Sequence, residues 1–188
     1  MIIHSLVENS RVNGPGNRFV IWTQGCKKKC KNCFNPLTWD ARGTEISSYD
    51  LFLRVKSSGC SGVTLTGGDP LEQPGELLEL LVLLSELDLE KGIILFTGYT
   101  LQEIKDLGGS VEKCLSYVDL LIDGRYEEDL FINNSLRGSS NQSYYYFSSK
   151  LEECEILIDH SIEVGFNYIT GFPSFDKKIL KEFGIVLS

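Results

Sequence analysis

Short apolar runs recur along the chain, and each is closed by a glycine. They occupy positions 19–24, 61–68, 92–98 and 118–124. These runs are rich in aliphatic and aromatic residues and lack regular polar alternation, which is typical of strands buried on both faces of a sheet. The pattern therefore predicts four β-strands.

Helical patterns separate these strands. Segment 47–59 begins with Ser47 or Ser48, either of which can cap a helix, and it stops at Gly59. Segment 74–92 is apolar around nearly its whole circumference, so we expect it to pack closely against the sheet. A third helix is predicted over 101–107, with Thr100 as its cap. The alternation of strands and helices predicts a parallel α/β sheet.

The carboxyl ends of parallel strands share one edge of a sheet, and this edge usually carries the chemistry. The first predicted strand leads into a cysteine-rich loop that begins at Gly25. The others lead into the segments GGDP (67–70), GYT (98–100) and DGRY (123–126). We therefore expect four polar or glycine-rich loops to meet at one rim.

Charge and composition limit the class of protein. The chain has 188 residues and a formal net charge of −8, so its overall field repels nucleic acid and anionic membrane surfaces. Its apolar runs are too short to span a bilayer, and its first residues lack the pattern of a secretory signal. These features predict a cytoplasmic protein without nucleic-acid or membrane partners, in a compartment that keeps thiols reduced.

The six cysteines fall into two groups. Three are scattered singly, and we expect each to be a small core residue, because free cysteine is often buried. These are Cys60, Cys114 and Cys154. The other three lie in one loop with the spacing C-x3-C-x2-C, at Cys26, Cys30 and Cys33.

Three closely spaced thiols favour an iron–sulfur cluster over zinc. Structural zinc needs four ligands, usually as two pairs, and the chain has no second Cys-x2-Cys pair, while His4 and His160 are distant in sequence. A 4Fe-4S cluster takes one thiolate per iron, so three cysteines leave one iron open to a substrate or cofactor. A loop without any metal is the third interpretation, which the ready oxidation of dense exposed thiols disfavours.

The cysteine spacing is similar to that of radical S-adenosylmethionine enzymes. Other segments in fixed order resemble, more specifically, the activating enzymes of anaerobic ribonucleotide reductase, which are glycyl-radical enzyme activases. The resemblance covers about residues 10–148. It rests on NGPGNR (13–18), WTQGCKKKCKNCFNP (22–36), TWD (38–40), LTGGDPL (65–71), FTGYT (96–100), LIDGRY (121–126) and RGSSNQ (137–142).

The resemblance implies a fold and a reaction. The fold is an incomplete parallel (β/α) barrel of the radical S-adenosylmethionine type, open on one side, in one domain over 1–188. The cluster, held by Cys26, Cys30 and Cys33, passes an electron to S-adenosylmethionine at the open iron. The resulting 5′-deoxyadenosyl radical takes hydrogen from a glycine of a larger partner, expected to be anaerobic ribonucleotide reductase. A flavodoxin- or ferredoxin-type protein is the expected reductant.

The resemblance also assigns cofactor-binding residues after the second strand. Gly67 and Gly68 lack side chains, so the backbone there can approach a bound ligand closely. The carboxylate of Asp69 can accept a hydrogen bond from an ammonium group. The alternative is a plain strand-to-helix turn, with Pro70 at the first helical position.

Further cofactor contacts are expected around the last cluster cysteine and on two other loops. The backbone of Asn32, Cys33 and Phe34 is expected beside the adenine, with Phe34 as the aromatic residue. Tyr99 is expected to contact the cofactor from its strand end. Asp123 either contacts the cofactor or the partner together with Arg125, or forms an ion pair with it.

Four lysines surround the cysteines in this acidic chain. Their charge balances an anionic cluster, guides an acidic reductant, or belongs to a solvated loop. These residues are Lys27, Lys28, Lys29 and Lys31.

Other function classes remain open at this point. A radical enzyme acting directly on a small molecule or peptide is the first, an electron-transfer module the second, and a zinc-binding interaction protein the third. The C-terminal extension, 149–188, carries the apolar runs EILID and YITGF and predicts a short pair of strands followed by a proline-containing turn. Such an extension covers the open side of the barrel or recognises a target.

Overall fold

A computed structural model of the chain describes residues 1–132 and 136–151, together with the backbone of two short strands near the C-terminus. A seven-stranded sheet dominates the described part, in the order β3-β1-β2-β4-β5-β6-β7. Its strands are β1 (Ile2–Ser10), β2 (Arg18–Thr23), β3 (Thr44–Glu45), β4 (Gly62–Gly67), β5 (Ile93–Phe96), β6 (Leu120–Asp123) and β7 (Ser143–Tyr146).

The four strands predicted from the sequence are confirmed, and they form the centre of the sheet. They are β2, β4, β5 and β6, and each pairs in parallel with the next. Their carboxyl ends consequently share one edge, as the strand–helix alternation predicts.

The predicted parallel pairing is confirmed for the central strands, but the sheet as a whole is mixed, because β1, β3 and β7 pair antiparallel with their neighbours. The connection from β1 to β2 is the short segment 11–17, which is too brief for the crossover that parallel strands need. Strand β1 had no clear signal in the sequence. Polar His4 and Ser5 interrupt its alternation, and Asn9 has a left-handed backbone with φ of 63°.

The helices confirm the predicted caps of the first and third helical segments, whereas the second helix ends at Leu84, short of the predicted 92. They are α1 (Ser48–Ser58), α2 (Pro74–Leu84), α3 (Leu101–Leu107) and α4 (Gly109–Lys113). Ser47 caps α1 by accepting a hydrogen bond from the Asp50 N–H, and Gly59 ends it in a left-handed conformation. Thr100 caps α3 in a reciprocal capping box with Glu103. No helix in the described part of the chain is long and apolar enough to cross a membrane.

The two faces of the sheet are covered differently. On one face, strand side chains such as Ile21 and Leu65 pack with α1, α2 and α3 in the main core. Four leucines of α2 in this core are fully buried, as its apolar circumference predicts. On the other face, Ile94, Leu120 and Ile122 pack with residues from irregular segments, Leu136 and Leu151. The described helices that flank the central strands therefore lie on one side, and loops cover the other.

In the C-terminal extension one observed strand falls within the predicted run YITGF, and it pairs with a strand that the sequence did not indicate. Strands β8 (Ile162–Val164) and β9 (Ile169–Gly171) pair antiparallel. The predicted strand at 155–159, the proline-containing turn and Cys154 lie outside the described residues. Cys60 and Cys114 are buried, as expected of small core residues.

A buried arginine holds the amino edge of the central strands together. Arg18 has no exposed surface, and its guanidinium donates to the Thr64 hydroxyl at 2.6 Å. It also donates to backbone carbonyls at distances of 2.5 to 3.0 Å, those of Pro15, Val63, Lys91 and Gly92. Burial lowers the pKa of this guanidinium to about 9, so it stays protonated at neutral pH and keeps donating.

Replacing Arg18 with methionine is expected to lower the free energy of unfolding by about 3 kcal/mol or more, because several buried carbonyls lose their donor at once. Urea unfolding of the purified chain measures this loss. The matched control is Arg54→Met on the exposed surface of α1, which is expected to stay within about 0.5 kcal/mol of the parent. Equal effects of the two substitutions would contradict the structural role of Arg18.

Candidate active site

The cysteine loop and the three other predicted loops meet at the carboxyl edge of the central strands, as the sequence predicts. They enclose a cavity of about 140 Å³. All three loop cysteines line it, and β4, β5 and β6 each contribute the residues that follow them. The lining is completed by Lys28, Phe34, Asn35, Gly67, Gly68, Phe96, Thr97, Gly98, Gly124, Tyr126 and Gln142.

Two left-handed residues shape the cysteine loop. Lys29 and Asn32 have φ angles of 48° and 54°, and each directly precedes a cysteine. The Cys33 N–H donates to the Cys30 carbonyl at 3.2 Å, which closes a tight turn between the last two thiols. Left-handed backbone conformations cost free energy in residues other than glycine, and they tend to occur where function requires a particular geometry. Here they bring the thiols into one cavity.

The donor set fits a 4Fe-4S cluster better than a single metal ion. Within 1–132 and 136–151, no three His, Cys, Asp or Glu side chains are grouped closely enough to hold one ion. The three thiols instead surround a shared cavity, which suits a group whose iron atoms are separate. The Asn35 N–H donates to the Cys33 sulfur at 3.3 Å, and such hydrogen bonds tune the potential of iron–sulfur clusters. Burial raises the pKa of the Cys26 thiol.

The two glycines at the end of β4 allow one stretch of backbone to approach another closely. Gly67 has φ of 105°, and a Cβ there would lie 2.4 Å from the Thr23 nitrogen. A Cβ on Gly68 would lie 2.4 Å from the Gly25 carbonyl oxygen. These two residues line the cavity, but the close approach that they allow is to other backbone, the end of β2 for Gly67 and the start of the cysteine loop for Gly68. The glycines therefore set the position of that loop relative to β4.

Asp69 is fully buried beneath the cavity. Its carboxylate accepts hydrogen bonds from the Thr97 hydroxyl at 2.9 Å and the Gly98 N–H at 3.0 Å. It also accepts from the Leu71 N–H as the cap of a short turn that begins with Pro70, so the strand-to-turn geometry is present as well. The ammonium group nearest to this carboxylate is that of Lys28, at 3.7 Å. Burial raises the pKa of Asp69.

Tyr99 and Asn32 do not line the cavity. The Tyr99 hydroxyl donates to Glu72 at 3.0 Å, and its ring lies under the Lys28 ammonium. The exposed Asn32 side chain donates to Glu128. Both assignments as cofactor contacts stay predictions.

Phe34 belongs to an aromatic wall of the cavity. Its ring centroid lies 4.8 Å from that of Tyr126 and 6.1 Å from that of Phe131. Gly138 packs against this wall, since a Cβ there would lie 3.1 Å from Tyr126. A second cavity of about 140 Å³ begins behind the wall and shares five lining residues with the first. These are Phe34, Asn35, Phe96, Tyr126 and Gln142.

Asp123 is buried below the rim and outside the cavity lining. Its carboxylate accepts from the Leu101 N–H at 2.6 Å and the Ser143 N–H at 3.2 Å. The alternative of an ion pair between Asp123 and Arg125 is not what the structure shows, because Arg125 pairs with Glu103 at 2.9 Å. Asp123 thus joins the start of α3 to β7, and its contact with a cofactor stays a prediction.

The ion pair between Glu103 and Arg125 makes the stability of the fold depend on pH. Hydrogen bonding from Arg125 lowers the pKa of Glu103 from 4.5 to about 2. A carboxylate with a lowered folded-state pKa stabilises the fold above pH 4.5, and this stabilisation is lost as the pH falls toward 2. The pair is largely exposed, so we expect its contribution to stay below about 1 kcal/mol.

Urea unfolding of the parent and of Glu103→Gln tests this dependence. The two should differ in stability at neutral pH, and the difference should shrink below pH 4.5 and vanish only as the pH approaches 2. Glu112→Gln, on the exposed surface of α4, is the matched control. A difference that does not shrink in acid would contradict the assignment.

Several site residues were not predicted individually. Tyr126 and Gln142 lie in the quoted segments LIDGRY and RGSSNQ, so their order in the sequence was the available signal. Gln142 accepts from the Gly138 N–H and donates to the Gly124 carbonyl, both at 2.8 Å. Glu72 and Thr97 had no signal beyond their position next to the predicted loops.

Comparison with known proteins agrees with this site. A family model described as a 4Fe-4S single cluster domain matches residues 12–145. The chain is 40% identical over 137 residues to the anaerobic ribonucleoside-triphosphate reductase-activating protein of Enterobacteria phage T4, covering 70% of this chain and 85% of that protein. It is 35% identical to the protein of the same name from Vibrio cholerae, covering 73% and 92%.

A relative with a different partner also matches. The pyruvate formate-lyase-activating enzyme of Clostridium pasteurianum is 34% identical over 137 residues, which cover 68% of this chain and 53% of that enzyme. Both kinds of relative are activating enzymes. By these matches the chain belongs to the family of anaerobic ribonucleoside-triphosphate reductase-activating proteins, among the radical S-adenosylmethionine activases.

Proposed function

We propose that this chain activates a glycyl-radical enzyme, and that its partner is an anaerobic ribonucleoside-triphosphate reductase. The observation that carries the proposal is the cavity at the carboxyl edge of the central strands, lined by Cys26, Cys30 and Cys33. The names of the relatives from phage T4 and Vibrio cholerae support the choice of partner.

The chemistry comes from the bound groups, and the chain positions them. When bound, a 4Fe-4S cluster would supply the electron for cleavage of S-adenosylmethionine, which would yield the oxidant for a glycine of the partner. The three cysteines would hold the cluster, while Gly67, Gly68, Cys33 and Phe34 border the cavity proposed for the nucleotide. The adjoining cavity behind Phe34 offers room for the remainder of the nucleoside or for the partner's glycine segment.

The incomplete barrel is part of the proposal. A sheet with helices on one face and loops on the other is the arrangement of half a (β/α) barrel, whose strands end at the active-site rim. The family match over 12–145 supports a core near 10–148. The segment 149–188 is proposed to be a C-terminal extension of the same domain.

The exposed lysines of the cysteine loop support a proposal for the reductant. Lys27 and Lys31 have side chains that are 85% and 80% exposed, and Lys29 is exposed as well. Their positive charge lies at the cluster in an otherwise acidic chain, which suits an acidic flavodoxin or ferredoxin. A compartment that keeps thiols reduced, the cytoplasm, fits three free thiols in one cavity.

Anaerobic reconstitution tests the function in two steps. First, iron and sulfide are measured per chain, and 5′-deoxyadenosine is measured after reduction in the presence of S-adenosylmethionine. Second, the loaded protein is incubated with an anaerobic ribonucleoside-triphosphate reductase, and the glycyl radical is sought by electron paramagnetic resonance. We expect the cluster, the nucleoside product and the radical on the larger chain.

Different failures identify different alternatives. Product without a glycyl radical on either a reductase or a pyruvate formate-lyase would favour a radical enzyme acting on a small molecule or peptide. A cluster without product would indicate an electron-transfer module. Zinc in place of iron and sulfide would overturn the proposal altogether.

A further inference from the structure

One lysine of the cysteine loop differs from its neighbours in its surroundings. The side chain of Lys28 is 8% exposed, whereas those of Lys27 and Lys31 are mostly exposed. Lys28 lies midway between Cys26 and Cys30. Long charged side chains are rarely buried unless they are paired. The burial of Lys28 therefore requires a reason that its neighbours do not share.

Lys28 is paired with two acidic residues from the turn that follows β4. Its ammonium lies 3.0 Å from a Glu72 oxygen and 3.7 Å from an Asp69 oxygen. Glu72 also accepts from Lys27 at 2.7 Å, so two cations face two carboxylates. Burial alone would lower the pKa of Lys28, but the Tyr99 contact and the two acids outweigh it and raise that pKa.

A third loop completes the contacts of Lys28. Its ammonium lies 3.0 Å from the centroid of the Tyr99 ring, in a cation–π arrangement. The Tyr99 hydroxyl donates to the same Glu72 oxygen. Gly98 leaves space for the lysine stem, because a Cβ there would lie 3.0 Å from the Lys28 Cγ. One side chain thus joins the cysteine loop to the loops that follow β4 and β5.

We propose that Lys28 is a positioning residue that fixes the cysteine loop against the Asp69–Glu72 turn and Tyr99, so that the thiols are held in place to retain the cluster. This inference rests on the proposed function, because it concerns the cluster of that site. It differs from guidance of a reductant, since a buried ammonium with three partners is not available to a docking protein. The role also differs from balancing the charge of an anionic cluster, because the carboxylates of Asp69 and Glu72 already balance the charge of the Lys28 ammonium.

Iron release tests the proposal independently of radical transfer. The full-length parent, Lys28→Met, Glu72→Gln and the double variant are reconstituted anaerobically. An excess of ferrous chelator is then added, and the visible absorbance of the cluster is followed over time. We expect each single variant to lose iron about 10-fold faster than the parent, or more. Effects of this size follow when residues that orient metal ligands are replaced. Both substitutions break the same contact between Lys28 and Glu72, so the double variant should lose iron at about the rate of either single variant.

Two further measurements separate positioning from general stability. Lys31→Met removes one exposed charge from the same loop, and it should release iron at the parent rate. Thermal unfolding of the cluster-free proteins should show that both single variants remain folded at the temperature of the iron-release assay, even though a buried ion pair has been broken. The electron paramagnetic resonance spectrum of the reduced cluster should change in Lys28→Met but not in Lys31→Met.

The outcomes distinguish this inference from the proposed function. A parent chain that binds no iron would overturn the proposed function. A parent that holds iron no better than Lys28→Met and Glu72→Gln would overturn only the positioning role. Loss of iron that merely accompanies unfolding of both variants, or strictly additive effects in the double variant, would also overturn it.

Discussion

A Cys30→Ala variant is expected to lose the cluster and to form no 5′-deoxyadenosine above background. Cys30 is the middle of three thiols that line one cavity, and among the described residues no histidine, aspartate, glutamate or further cysteine lines that cavity to replace it. A cubane held at only two irons is exposed to chelators and oxygen. Iron and sulfide analysis after anaerobic reconstitution measures the loss directly.

The matched control is Cys60→Ala. Cys60 is a free thiol like Cys30, but it is buried in the main core. Its replacement is expected to lower the free energy of unfolding by about 1 kcal/mol, the cost of a small core truncation, and to leave the iron content unchanged. If Cys30→Ala retained iron, or Cys60→Ala lost it, the assignment of the cluster ligands would be wrong.

A Gly67→Ala substitution should strongly destabilise the fold. The backbone of Gly67 has φ of 105°, and a Cβ would lie 2.4 Å from the Thr23 nitrogen and 2.6 Å from its carbonyl oxygen. Strain and overlap with immobile backbone together are expected to cost about 3 kcal/mol or more. Urea unfolding of the cluster-free chain measures this cost.

Gly75→Ala on α2 provides the comparison, since a Cβ there meets no atom within 4 Å. Alanine favours a helix over glycine by up to about 1 kcal/mol, so this variant should equal or exceed the parent in stability. Equal unfolding midpoints for the two alanine variants would show that the sheet yields at Gly67 and would contradict the argument.

The sequence predicts the elements whose signals are local. Ser47, Gly59 and Thr100 mark helix ends because a cap depends on residues within one turn. The four buried strands were visible as apolar runs, and their order placed four loops at one rim. The three cysteines proposed as cluster ligands were also visible, because three cysteines within one loop need no tertiary contact to be recognised.

The partners of charged side chains could not be predicted from local signals. Lys28 is indistinguishable in sequence from the lysines beside it, and only the approach of Glu72 and Tyr99 separates it from them. Asp123 lies at the expected strand end, but its carboxylate accepts hydrogen bonds from the N–H groups of Leu101 and Ser143. Those contacts depend on where α3 and β7 lie relative to β6, which a single sequence does not encode locally.

The buried guanidinium at the far edge of the sheet has a consequence for local opening. The Arg18 guanidinium donates hydrogen bonds to carbonyls from three separate stretches of chain. None of those stretches can detach without leaving a buried charge short of hydrogen-bond partners. Their amide protons should then exchange with solvent deuterium together, through one cooperative opening, rather than one segment at a time.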